Sequence, residues 1–552
     1  MNHKSELPEG FKTPLEMFYQ WEKIKPNTTW LSQYEDGQWR EYSWKQAGEM
    51  ARKIASGLQA RGLNPDDKIG LYAENSARWF ITDLAIMMAG LVSVPIYTSM
   101  PEDKIRYIVD HSEMAFLFVG DNCALSLEQI KAAFGNNIEV CGLGCNNNDW
   151  SQLLNSTSKA FGNPLRDWND LWTISYTSGT TGQPKGVMHS FSTMPSSVME
   201  TAKLTRTSEK TRFFSYLPLA HMAERSAIEL HSFYCGGMVG FNRNKDSFIE
   251  DLILIRPTIF FAVPRIWANL KAGIVAKLGE ATWQRCTSDK IFGAETGKQV
   301  LASMGLDAVE IALTGSAPIP RADIEAWRCL SMPLCEGFGQ TESMSGTFNR
   351  VDNYKVGSIG LPITPSAEVS ISEQGELLLR SAGNMLGYYR DEEKTRETII
   401  DGWIHTGDKA RIDEDGFVFI TGRIKDIFKT AKGKYVAPTP IENNFAHFSG
   451  IEQCCLVGSG LAQTVMLVVI TGWENNDDEL KQKLAHHLQQ TNKQLEAHER
   501  ISHVIICLEP WTIENELLTH TLKILRDDVE KFYLATIEKA ITNPLETVIW
   551  ET

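Results

Sequence analysis

Between Ser43 and Val119 the chain alternates helical patterns with short apolar runs, and this alternation limits its fold more than any other feature. Ser43-Trp44-Lys45-Gln46 has the S-x-x-Q form of a capping box. Met50, Ile54 and Leu58 follow at four-residue spacing, and Gly62 stops the helix. Next come an apolar run from Lys68 to Ala73, a helical pattern from Ala77 to Ala89, and further runs at Leu91 to Tyr97 and Ala115 to Val119. Such alternation predicts an α/β domain built on parallel and mixed sheets. The polar stretches around Asn146-Asn147-Asn148 and from Asn155 to Asn163 read as surface loop before a strand at Leu171 to Tyr176.

After about residue 420 the pattern changes. Apolar strands at Cys454 to Val457 and Val465 to Ile470 precede a helix with Leu480, Leu484, Leu488 and Leu495 on one face. A strand at Val504 to Leu508 and a helical stretch from Asp527 close the chain. The expected organisation is a large N-terminal domain over residues 1–422 and a small α+β C-terminal domain over residues 423–552.

Charge and composition exclude several functions. The chain has 54 basic and 69 acidic residues, so its field repels polyanions and argues against nucleic acid as a partner. The apolar stretch Leu84 to Thr98 is broken by Gly90 and Pro95, short of the ~20 residues a spanning helix needs. Glu6 and Glu9 stand where a signal peptide would be apolar. Ten cysteines without a paired framework fit reduced thiols in a cytoplasmic protein, and Cys141 and Cys145 lack the second pair that would complete a zinc site. Cys454 and Cys455, in an apolar run, read as small buried or loop thiols, and His486 and His487 as solvated side chains.

The segment Tyr176 to Val187, YTSGTTGQPKGV, follows an apolar strand and brings glycines, hydroxyls and one lysine into a turn. Converging backbone N–H groups, hydroxyl donors and the Lys185 charge suit a phosphate. It is not a Walker A loop, because Lys185 is followed by Gly186 rather than Ser or Thr. From Arg423 to Lys434 a basic island (Arg423, Lys425, Lys429, Lys432, Lys434) faces only Asp426.

This segment resembles the phosphate loop of the adenylate-forming superfamily of acyl-CoA synthetases, luciferases and adenylation domains. Further motifs follow in that family's order: LPLAHMAER (Leu217 to Arg225), TGSAPI (Thr314 to Ile319), EGFGQTES (Glu336 to Ser343), HTGD (His405 to Asp408), GRIKDIFK (Gly422 to Lys429) and Lys523 in ENELLTHTLKILR. LPLAHMAER, GKYVAPTPIE (Gly433 to Glu442) and ENELLTHTLK are most similar to long-chain fatty acyl-CoA synthetases.

The resemblance implies an ATP- and Mg²⁺-dependent ligase that makes acyl-AMP from a fatty acid and then a thioester with CoA, releasing AMP and diphosphate. By the same resemblance, Thr177, Ser178, Gly179, Thr180, Thr181, Gly182 and Lys185 contact phosphates. Gly315, Ser316, Ala317, Glu336, Gly337, Phe338 and Gly339 form the adenine pocket, and Asp408 with Arg423 binds the ribose. Thr341 meets the α-phosphate, Glu342 holds Mg²⁺, His221 gates the acyl carboxylate, and Lys523 stabilises the adenylation transition state. The small domain is expected to turn about Lys425, taking Lys523 out and bringing Lys429, Lys432 and Gly433 to CoA.

Two residues depart from the family pattern. Lys432 replaces the first glycine of a Gly-Gly pair, and His520 replaces a proline near Lys523. The alternatives are therefore an acyl-AMP ligase serving a carrier protein or other acceptor, a medium-chain or aryl acid CoA ligase, and a catalytically silent nucleotide binder. A fatty substrate also implies peripheral contact with membranes or lipid carriers. The oligomeric state is open, with a homodimer among the alternatives.

Overall fold

The computed structural model describes residues 7–144, 148–155, 161–177, 183–448, 450–471, 477–519, 523–543 and 546–551. The alternation seen from Ser43 onward becomes a seven-stranded sheet. Its order is Gly387–Tyr388, Lys185–Ser190, Leu171–Thr177, Val92–Ile96, Lys68–Tyr72, Met114–Val119 and Glu139–Gly142. The last five run parallel, while Lys185–Ser190 turns back antiparallel on Leu171–Thr177 with Thr177 paired to Lys185. The described ends of the phosphate-loop motif, Tyr176–Thr177 and Lys185–Val187, thus lie on adjacent antiparallel strands near one end of the sheet.

Local chemistry explains the covering helices. Trp44–Ala60 opens on the Ser43/Gln46 capping box. Ala77–Ala89 is capped by the Ser76 hydroxyl and ends at Gly90, whose φ of 78° only glycine adopts freely. Its residues are buried nearly all round, as a helix enclosed on both sides requires.

Three further sheets complete the large domain. The second is Ile259–Phe261, Ile311–Thr314, Leu334–Gln340, Ser343–Phe348 and Leu361–Pro362. The third is built on Glu376–Arg380, Trp403–Ile412 and Val418–Arg423, and the fourth is Gln38–Ser43, Thr29–Glu35, Met238–Phe241 and Arg212–Ser215. The smaller domain has a sheet of Ile451–Val457, Thr464–Ile470, Ile501–Cys507 and Val548–Trp550. Leu480, Leu484 and Leu488 pack on one face with Ile441 and Phe445, and Val529 and Ile537 on the other.

Four expectations need correction here. The helix ends at Lys493, so Leu495 lies beyond it, although it still packs on the same core. The stretch from Asp527 is two helices, Arg526–Phe532 and Leu534–Ile541, followed by the edge strand Val548–Trp550, too short to register as a sequence pattern. A short helix, Asp149–Asn155, separates the two polar stretches read as one loop. His487 is half-buried against Phe445 and Phe448 and bonds the Phe445 carbonyl at 2.9 Å, whereas His486 is exposed. Among the described residues no helix is long and apolar enough to cross a membrane, and no cluster could hold a metal through three His, Cys, Asp or Glu side chains.

Candidate active site

A cavity of about 2110 Å³ lies where the strands Leu171–Thr177 and Lys185–Ser190, the second and third sheets and the smaller domain converge. Strand Leu334–Gln340 runs parallel to Ile311–Thr314, with Thr314 opposite Glu336, so Gly315–Ala317 and Gly337–Gly339 emerge side by side. Their approach is close: a Cβ on Gly315 would stand 2.9 Å from the Gly337 carbonyl oxygen. Ser316 holds a left-handed φ of 67°, the strained backbone often found where a loop must face a ligand. Phe338 lines the same wall. Burial pushes the Glu336 carboxyl up to about 8 despite the nearby Arg321 charge.

The third sheet supplies an acid and a base by register. Asp408 and Arg423 are opposite partners on adjacent strands, and Arg423 Nε donates to Asp408 Oδ1 at 3.0 Å. Gln340 Nε2 donates to Asp408 Oδ2 at 2.7 Å and to the Thr406 carbonyl at 2.9 Å, joining this sheet to the second. Burial raises the Asp408 pKa, against the Arg423 charge.

Gln340 pairs with Ser343, so Thr341 and Glu342 are the two residues of a tight turn. The Tyr388 hydroxyl donates to Glu342 Oε1 at 2.7 Å, and Lys185 stands 5.6 Å from the centre of the Tyr388 ring. Lys185 and Lys523 are close enough to feel the Glu342 charge, and Lys394, Arg423 and Lys425 line the same cavity. Burial, then Lys394 and Lys425, lower the Lys185 pKa; burial, then Arg423, lower that of Lys523.

His221 opens the helical run Met222–Glu224 as its N-cap, its Nδ1 accepting from the Ala223 N–H at 3.1 Å. A neutral ring therefore carries its proton on Nε2. Burial, then the Lys523 charge, push the pKa down to about 4, so the imidazole is neutral at pH 7.

Of the sequence-predicted residues, Thr177, Lys185, His221, Gly315, Ser316, Ala317, Glu336, Gly337, Phe338, Gly339, Thr341, Glu342, Asp408, Arg423 and Lys523 line this one cavity. Ser178, Gly179, Thr180, Thr181, Gly182, Cys145 and His520 lie outside the described residues. Lys429, Lys432 and Gly433 belong to an exposed two-stranded hairpin, Phe428–Lys429 with Tyr435–Val436, that does not line the cavity. Sequence reasoning missed Tyr388, Gln340, Lys394 and the buried His189, all brought in by tertiary contact.

Residues 18–389 match the model of a family described as AMP-binding enzyme, and residues 425–543 match its C-terminal domain. The chain belongs to the AMP-binding enzyme family. Within it, the chain is 28% identical to Long chain acyl-CoA synthetase 2 of Arabidopsis thaliana, over 97% of this chain and 93% of that one. It is 27% identical to a long-chain-fatty-acid–CoA ligase of Mycobacterium bovis, over 95% and 96% of the two chains. Solved AMP-binding structures share the fold. An anthranilate CoA ligase in complex with anthranoyl-AMP has a TM-score of 0.79 at 20% identity, covering 97% of this chain and 99% of its own. ATP-bound MatB from Rhodopseudomonas palustris has 0.77 at 22%, covering 95% and 99%.

Proposed function

We propose that the protein is an AMP-forming fatty acid–CoA ligase acting on long-chain acids through an acyl adenylate. The observation that carries this reading is the meeting of Lys523, Glu342, Asp408 and Arg423 in one cavity, although they come from two sheets and the C-terminal domain. A carboxylate attacking the α-phosphate of ATP needs its developing charge neutralised, and lining cations such as Lys185, Arg423 and Lys523 with the Thr341 hydroxyl supply charge and donors. Asp408 keeps lone pairs for a ribose diol, and Phe338 with Gly315–Ala317 forms a slot for the base.

The Glu342 carboxylate suits a hard divalent cation: it would hold Mg²⁺, which would neutralise phosphate charge. His221, a neutral donor at the cavity wall, orients the acid's carboxylate rather than removing a proton from it. Beyond His221 the wall carries Val198, Met222, Ala227, Met344 and Ile363, an apolar lining that supports an alkyl chain. An acid of that kind reaches the enzyme from a membrane or lipid carrier, so transient peripheral contact belongs to the proposal.

The division into residues 1–422 and 423–552 enters as part of the mechanism. The exposed Lys429–Lys434 hairpin and the inward Lys523 suit the adenylating arrangement, and turning about Lys425 exchanges them for attack by the CoA thiol. Lys432, where the family pattern has glycine, motivates a second reading, transfer of the acyl group to another acceptor. The test is diphosphate release with ATP and Mg²⁺ over acids from acetate to oleate, with and without CoA. Release peaking at long chains and yielding acyl-CoA is expected, and Lys523→Ala should abolish it. Release without thioester favours the other acceptor; no release from any acid refutes the ligase.

A further inference from the structure

We propose that His189 is a positioning residue that sets the Thr341–Glu342 turn for adenylation; this rests on the ligase reading above. Two-residue hairpin turns ordinarily take primed conformations, which require at least one residue with positive φ. Neither Thr341 nor Glu342 has one. The turn is therefore fixed by bonds from outside the hairpin, and three are present. His189 Nε2–H donates to the Thr341 carbonyl at 2.7 Å, the Met385 N–H to the Glu342 carbonyl at 2.9 Å, and the Tyr388 hydroxyl to the Glu342 carboxylate at 2.7 Å.

The His189 bond is directional by construction. A carbonyl can only accept, so Nε2 carries the proton and Nδ1 is left as an acceptor. Nδ1 faces the Thr193 hydroxyl at 3.1 Å; that oxygen accepts the Ser190 N–H at 3.0 Å, and the ring is a nearer acceptor for its proton than the Ser190 carbonyl at 3.4 Å. The imidazole is fully buried, where a hydrogen bond is strong and its loss costly. His189 also lies four residues beyond Lys185 on the same strand, and so on the same face. One rigid strand thereby carries both a cation of the cavity and the bond that holds the opposing turn.

The test compares His189→Gln, which keeps an N–H near the Nε2 position, with His189→Leu, which fills the space without a donor. The measurements are Tm, acid-dependent ATP–diphosphate exchange, and the Mg²⁺ concentration that half-saturates calorimetric ATP binding. His189→Leu is expected to fold, to lose about tenfold or more in kcat with the KM for the fatty acid within twofold, and to need severalfold more Mg²⁺. His189→Gln should recover most of both. Unchanged kcat and Mg²⁺ requirement in a folded His189→Leu would overturn the proposal, as would equal losses in both variants. If His189→Leu fails to fold, Thr193→Val decides: lower kcat at an unchanged Tm supports the positioning role, and wild-type kcat refutes it. Absence of exchange in the wild-type protein instead refutes the ligase reading.

Discussion

Glu224 stands three residues after His221 but in a different environment. His221 borders the cavity, whereas Glu224 is sealed inside, its Oε1 accepting from the Ser215 hydroxyl at 2.9 Å and the Tyr216 N–H at 3.1 Å. Burial raises its pKa from about 4.5 to about 8. Between those values the folded protein holds a proton that the unfolded chain has released, so stability falls as pH rises through this window. Glu224→Gln removes the titration: urea midpoints at pH 5.5 and 8 should differ more in the wild type than in the variant, and equal differences would refute this. At Asp408 the expectation concerns ligand, not stability. Asp408→Asn keeps the shape but weakens acceptance from a ribose diol, and should raise the KM for ATP by roughly tenfold, about 1.4 kcal/mol, with the KM for the acid unchanged. The cleft-facing motif residues could be named from the sequence because their types match their chemistry. His189 could not, because its partner Thr341 is 152 residues away and nothing local marks the contact.

At the level of elements, LPLAHMAER is an anchor as well as a wall. Arg225 begins the π-helix Arg225–Leu230 and is wholly buried. Its guanidinium donates to Asp83 at 2.7 Å, Glu229 at 3.0 Å and the Thr173 hydroxyl at 2.8 Å, and stacks 4.3 Å from the Trp172 ring centre. This ties the run after His221 to the helix Ala77–Ala89 and the central sheet. Arg225→Ala strands two carboxylates in the core and should cost about 3–5 kcal/mol, read as a lower urea midpoint. A cost below 1 kcal/mol would show that Asp83 and Glu229 do not depend on it. The sequence marked helix ends well where caps are local, as at Ser43, Ser76 and Gly90. It was silent on the π-helix, which carries Arg225 and Glu229 of this buried charge cluster, and on Val548–Trp550, which is a strand only because Ile501–Cys507 offers it an edge.

For the whole molecule, the order of motifs along the chain made the family legible, while their meeting in space required the fold. The arrangement described here is one-sided: Lys523 lines the cavity and the Lys429–Lys434 hairpin stays outside. If the two half-reactions use different domain poses, a charge change on the hairpin should separate them. Lys432 is exposed, so replacing it costs little stability. Lys432→Glu should leave ATP–diphosphate exchange within about twofold of wild type, because no adenylation contact is touched. It should lower acyl-CoA formation about tenfold or more, since a carboxylate would then face the CoA phosphates where an ammonium stood. Added salt should narrow the gap by screening that repulsion, at a Debye length of about 8 Å near physiological ionic strength. Equal loss of both half-reactions would place Lys432 in the adenylating arrangement, and no loss in either would leave CoA bound elsewhere or replaced by another acceptor.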